Sequence, residues 1–173
     1  QPDLGLPVAV AGGAVYACTN LGAVAALDAM SGAIRCILVY DRLKSLDRNN
    51  PRTFRTLSDF WGPNPPIVHE GLVVVTPQDS EFLYVYNLET GQRVWELSRN
   101  ENAAAHKHIL GIAPLSADGG SQAGRLVLSG ANLACYDIKT GRKMGPDEPL
   151  PLDRPIRGRG LASEEEAEEM EAG

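Results

Sequence analysis

The sequence predicts an all-β protein: a β-propeller segment of three four-stranded antiparallel blades forming part of a ring, followed by a disordered acidic C-terminal tail. A short turn box occurs three times, as Ala26-Leu27-Asp28-Ala29-Met30-Ser31-Gly32, Val85-Tyr86-Asn87-Leu88-Glu89-Thr90-Gly91 and Cys135-Tyr136-Asp137-Ile138-Lys139-Thr140-Gly141, with closing glycines 59 and 50 residues apart. β-Branched and aromatic runs of strand length flank each box, the pattern of a hairpin corner between two strands. Glycine and proline are dense, 18 and 12 in 173 residues, which favours many short elements joined by tight turns.

Each element follows from its residues. The first repeat opens with Pro7-Val8-Ala9-Val10, turns at Gly12-Gly13, continues through Ala14-Val15-Tyr16-Ala17 and a strand into the first box, and ends with Ile34 to Tyr40. The second runs from Pro66-Ile67-Val68 through Gly71 and Leu72 to Thr76, into the box and out through Arg93-Val94-Trp95-Glu96-Leu97. The third begins around Gly111 to Leu115, turns at Gly124, uses Leu126 to Ser129, and starts its last strand at Arg142-Lys143-Met144 before Gly145-Pro146 is expected to cut it short. Blades are thus expected at 7–40, 66–98 and 109–144 within a repeat region 1–144, with a Pro/Gly-rich linker and acidic tail over 145–173.

The chemistry of the box explains its residues. The side chains of Asp28, Asn87 and Asp137 accept hydrogen bonds from amides two or three positions on, and the hydroxyls of Ser31, Thr90 and Thr140 add a weaker bond of the same kind. Gly32, Gly91 and Gly141 then supply the positive φ that closes a longer hairpin loop. Sheets apolar on both faces must stack on one another, either around an axis or as two layers. Units of about 50 residues with four strands each match propeller blades, whereas a sandwich needs no recurring corner.

Here the residues carry a resemblance. Ala-Leu-Asp-x-x-x-Gly, followed by Trp four residues after the glycine, resembles the blade signature of the pyrroloquinoline-quinone-like (PQQ-like) repeat, the propeller family of quinoprotein dehydrogenases and outer-membrane assembly lipoproteins. The second copy is fullest, with Gly91-Gln92-Arg93-Val94-Trp95 placing an indole at the family's blade-docking position. The first copy has Cys36 there and the third Met144, so the resemblance is to a degenerate member or a fragment. It implies export to a periplasmic or other extracytoplasmic compartment. In the dehydrogenases of this family it also implies a quinone held with Ca²⁺ by Glu, Asn and Asp side chains, and in many a vicinal disulfide. Adjacent cysteines do not occur here.

Charge narrows the partners. Lys and Arg number 16 against 22 acids, and Glu164, Glu165, Glu166, Glu168, Glu169 and Glu171 account for the excess. The body is neutral and offers no basic field for nucleic acid phosphates. No stretch approaches the roughly 20 apolar residues of a membrane-spanning helix. The apolar run Leu4 to Ala17 reads as strands rather than a signal peptide, because Asp3 and no Lys or Arg precedes it. Gln1 without an initiator Met reads as the start of a piece of a longer polypeptide. Cys18 and Cys36 fall two strands apart, about 9.5 Å, too far for a disulfide.

Two connections stand out. Asp41 to Pro65 is long, carries Arg42, Lys44, Arg48, Arg52 and Arg55, and ends in Phe60-Trp61. Its functional reading is a partner loop in which Arg48, Arg52 and Arg55 meet an anionic surface while Phe60 and Trp61 anchor it. Its structural reading is an insertion with Trp61 tucked beneath. His106-Lys107-His108 offers two imidazoles but no further ligand at a metal-binding spacing. With no nucleophile, base and orienting group in a recognisable pattern, the sequence favours a non-catalytic binding or scaffold module. Its rim loops would hold a protein or polymer, with another protein or further blades of the same parent chain as partners. The alternative is a fragment of a PQQ- and Ca²⁺-dependent dehydrogenase.

Overall fold

The computed structural model describes residues 7–42, 61–99, 106–114, 124–130 and 132–149. They form three four-stranded antiparallel sheets, each a simple meander. The first contains β1 (Val8–Ala11), β2 (Ala14–Cys18), β3 (Ala23–Asp28) and β4 (Ile34–Val39). The second contains β5 (Ile67–His69), β6 (Leu72–Val75), β7 (Phe82–Asn87) and β8 (Arg93–Ser98). The third contains β9 (His108–Pro114), β10 (Gly124–Ser129), β11 (Asn132–Asp137) and β12 (Lys143–Pro149). Strands of successive sheets thus recur in the same order, and the sheets are open, as in a partial propeller.

The alternation of side chains along β6 and β7 builds two cores. Val73, Val75, Tyr84 and Tyr86 face the first sheet, where they meet Ala14, Tyr16, Cys18, Val24, Ala26, Leu38 and Tyr40. Leu72, Val74, Leu83 and Val85 point the other way and pack with Leu126, Leu128, Ala134, Tyr136 and Ile138 of the third sheet. The middle sheet is therefore covered on both sides, and all four residues of β6 are buried. This is the stacking that sheets with two apolar faces require.

One feature departs from expectation. β12 does not stop at Gly145-Pro146 but runs to Pro149. The pairing register shifts between Leu133 and Cys135, and Gly145 has φ +78°, so an irregularity in the last strand absorbs the break. β12 lies at the edge of its sheet, where the missing proline N–H costs no ladder bond. β9 begins at His108. Cys18, Cys36 and Cys135 are free thiols, with Cys18 on β2 and Cys36 on β4. Of the expected linker and tail, 145–173, residues 150–173 lie outside the described residues, as do Arg48, Arg52, Arg55 and Phe60.

Candidate functional site

The three corners share one hydrogen-bond scheme. Asp28 Oδ1 accepts from the amides of Met30 (3.1 Å) and Ser31 (2.8 Å) and from the Ser31 hydroxyl (2.9 Å). Asn87 Oδ1 accepts from Glu89 N and Thr90 N, both at 2.9 Å. Asp137 Oδ1 accepts from Lys139 N (3.0 Å), Thr140 N (2.8 Å) and the Thr140 hydroxyl (2.9 Å). In each box the closing glycine donates its N–H to the backbone oxygen of the Asp or Asn, at 2.8–2.9 Å. Gly32, Gly91 and Gly141 have φ +71°, +70° and +70°, a region where a side chain costs energy.

These bonds settle the charge of the corner acids. The Ser31 amide and the Arg35 guanidinium hold the Asp28 carboxyl far below the ordinary carboxylate range, with Arg35 Nη2 donating to Oδ2 at 2.6 Å. For Asp137 desolvation is the largest single effect and raises the pKa, but the Thr140 hydroxyl and amide and Lys139 together outweigh it and the net direction is down. Both are fixed anions turned into their own loops, unlike a catalytic acid whose pKa is raised to hold a proton.

Trp95 projects from β8 onto the third sheet's corner. Its indole N–H donates to Ile138 O at 2.8 Å. A Cβ added to Gly141 would stand 2.7 Å from the ring's Cδ2 and 2.9 Å from Cε3, so the glycine is what lets the ring lie flat against the backbone. The strand register places Cys36, Trp95 and Met144 opposite Ala26, Val85 and Cys135, the same position in each sheet.

Between the first and second sheets polar side chains bridge the turns after β2 and β6. Asn20, at φ +53° in the turn after β2, accepts the Gln78 amide at 3.1 Å and donates to Gln78 Oε1 at 3.4 Å. The Tyr40 hydroxyl donates to Asp79 Oδ1 at 2.7 Å, and Arg42 donates to Asp79 Oδ2 at 2.9 Å. Burial, and then the Asp79 bond, push the Tyr40 phenol well above its usual range. Burial likewise raises the Cys18 thiol, which keeps it from acting as a thiolate.

Of the two readings of Trp61, partner anchor or side chain tucked beneath the insertion, the structure has the buried one: it is 2% exposed in the core between the second and third sheets, with its N–H 3.3 Å from Glu81 O. The next residues clamp the start of the third sheet. Gly62 N donates to Lys107 O at 2.8 Å, and Asn64 joins Thr76 Oγ1 (2.9 Å), Lys107 O (3.2 Å) and Ile109 N (3.2 Å). Sequence reading missed this clamp and the role of His106. That imidazole is buried, with Nε2 3.0 Å from the Tyr136 hydroxyl and the rings edge to face. Their partners lie more than 10 residues away, so no local spacing points to them.

Among the described residues no three His, Cys, Asp or Glu side chains converge where a metal could sit. Among the same residues, no helix is long and apolar enough to cross a membrane.

The sequence and the fold have relatives among known proteins. The family model described as "Outer membrane protein assembly factor BamB" matches residues 1–148. The chain belongs to this family of PQQ-like repeat propellers. The fold is similar to that of BamB from Moraxella catarrhalis, with 18% identity and a TM-score of 0.50 over 80% of this chain and 36% of that one. It is also similar to a europium-containing methanol dehydrogenase, with 14% identity and a TM-score of 0.50 over 80% of this chain and 23% of that one. The chain thus spans only about a third and a quarter of those proteins. No curated protein matches the sequence.

Proposed function

We propose that this PQQ-like propeller segment is a non-catalytic binding or scaffold module of a larger repeat protein, holding a protein or polymer partner through its rim loops. The observation that supports this reading is how the rim's polar side chains are used. Asp28, Asn87 and Asp137 bind their own turn amides, Asn20 binds Gln78, and Asn64 binds the neighbouring sheet. Groups committed in this way give rigidity rather than proton transfer, which needs an acid or base aimed at a substrate. A rigid stack carrying variable loops is a scaffold for recognition. Arg48, Arg52 and Arg55, with Phe60, would form the contact loop for an anionic partner. The family's name suggests a setting beyond the cytoplasmic membrane, where another protein or further blades complete the assembly.

The test is to incubate the purified protein with pyrroloquinoline quinone and Ca²⁺, remove free ligand, and record the absorption spectrum and dye-linked alcohol oxidation. Neither a retained chromophore nor turnover is expected. Tight quinone retention with turnover would overturn the scaffold reading in favour of a dehydrogenase fragment.

A further inference from the structure

The last strand of each sheet carries cations at its start, and the first two sheets neutralise their own. Arg35 pairs with Asp28 at 2.6 Å. Arg93 pairs with Glu96 at 2.8 Å and with Asp41 at 3.6 Å. The third sheet has two, Arg142 and Lys143, and among the described residues Arg142 has no acidic partner.

Arg142 is exposed and Lys143 partly buried. Both line a cleft of about 590 Å³ beside the third corner, together with Asp137, Thr140, Met144 and Gly145. The Asp137 carboxylate accepts the amides and hydroxyl of its own turn. Lys139, on the same corner, is paired with Glu70 of the second sheet at 3.2 Å. Two cations against one committed carboxylate leave the lining positive.

The chain supplies an anion from the same strand. β12 runs seven residues from Lys143 to Pro149, about 20 Å. The sequence then continues to the run Glu164, Glu165, Glu166, Glu168, Glu169 and Glu171, which lies outside the described residues. Fourteen residues separate Pro149 from Glu164 and can span up to about 46 Å, more than a return along β12 requires. Apart from that run lysines and arginines balance the acids, so the run is the chain's uncompensated charge. Attached in this way it meets the cleft at an effective concentration of about millimolar, where weak, exposed ion pairs are enough.

We propose that the run from Glu164 to Glu171 folds back along β12 and occupies this cleft, with Arg142 and Lys143 as its cationic contacts. The chain then closes its own anion-binding site, and an outside anion must displace the run to reach it.

The test compares amide NMR spectra of the full chain at low salt, as the parent and as a variant with the six glutamates of the run replaced by glutamine. The amides of residues 139–145 are expected to differ between the two. About 0.5 M sodium chloride should move the parent's toward the variant's, since exposed ion pairs are screened. Adding a synthetic peptide of residues 161–173 to the glutamine variant should return those amides toward the parent's positions. Arg142→Glu in that variant should weaken peptide binding at least about fivefold, whereas Arg142→Lys should keep it. Arg142 is exposed, so neither substitution loads the fold, and far-UV circular dichroism checks each chain. Spectra that coincide over 139–145, differences confined to another surface, or peptide binding that survives Arg142→Glu would overturn the proposal. Differences that vanish on dilution would overturn it too, because they assign the run to the cleft of a second molecule. Quinone retention bears on none of these readings, so this inference and the scaffold reading fail separately.

Discussion

Trp95 and Gly141 should behave as one unit, and a double-mutant cycle measures how strongly. A fully buried Trp→Ala change costs about 3–5 kcal/mol. Trp95 is only partly buried, which places Trp95→Ala at about 2–3 kcal/mol, with about 1 kcal/mol of that from the bond to Ile138 O. Gly141→Ala carries two costs. A residue with a Cβ at φ +70° costs about 1–2 kcal/mol, and a methyl 2.7 Å from the indole adds about 1–2 kcal/mol of overpacking. Once Trp95 is alanine the second cost vanishes. The coupling is therefore about 1–2 kcal/mol, above the roughly 0.5 kcal/mol within which independent sites add. Gly32→Ala is the control, with the same backbone and nothing within 4 Å, and should show the conformational cost alone. Urea unfolding followed by far-UV circular dichroism, with unchanged m values, reads all five proteins. Additive losses, or equal losses for Gly32→Ala and Gly141→Ala, would refute the claim that the indole rests on the glycine.

Asp28→Asn should keep the turn, as Asn87 does in the second sheet, but lower stability at neutral pH because the carboxylate's bonds to Arg35 are lost. The Asp28 carboxyl is held below its ordinary value by the Ser31 amide and Arg35. Its contribution is therefore present above about pH 4 and lost as pH falls through the folded value. The parent should lose stability on acidification more steeply than Asp28→Asn, and parallel profiles in thermal melts from pH 6 to pH 2 would contradict the assignment. At the polar rim, Asn20 both tolerates φ +53° and binds Gln78. Asn20→Gly keeps the conformation and loses the bonds, whereas Asn20→Ala loses both. Alanine should be the worse by about 1 kcal/mol in urea melts, and equal losses would mean that the left-handed turn is not what selects asparagine.

The parts of this molecule that sequence makes legible are local. A corner box fits within seven residues, and its acceptor, hydroxyl and glycine have fixed offsets, so three copies are visible without structure. Trp95 is legible for the same reason, standing four residues after Gly91. Trp61 is not, because the choice between an exposed anchor and a core side chain depends on Leu72, Val74 and the third sheet, all distant in sequence. His106 is the same case: its partner Tyr136 lies 30 residues away, beyond any local pattern. The continuation of β12 through Gly145-Pro146 was hidden because a breaker at a sheet edge costs less than one inside a sheet.

The first sheet lacks a docking tryptophan, and the way its interface is held shows how a repeat can lose its signature residue. At Cys36 there is no indole to reach forward, so the second sheet reaches back. The Tyr86 hydroxyl donates to Val39 O at 2.8 Å, and the Tyr84 hydroxyl donates to Asp41 O at 3.1 Å. Burial pushes the Tyr86 phenol up to about 12, which keeps it a neutral donor throughout the physiological range. Tyr40, Tyr84 and Tyr86 form a continuous row with ring centroids 5.6 and 6.1 Å apart, supplying the apolar area that one indole supplies elsewhere. The third sheet has only Tyr136 at the place of Tyr86, with Ala134 at that of Tyr84, and there Trp95 is present. Indole on one side and tyrosines on the other are thus alternative ways of filling the same gap between sheets. Which of them is used decides where each interface draws its hydrogen bonds, from the last strand of one sheet or from the third strand of the next.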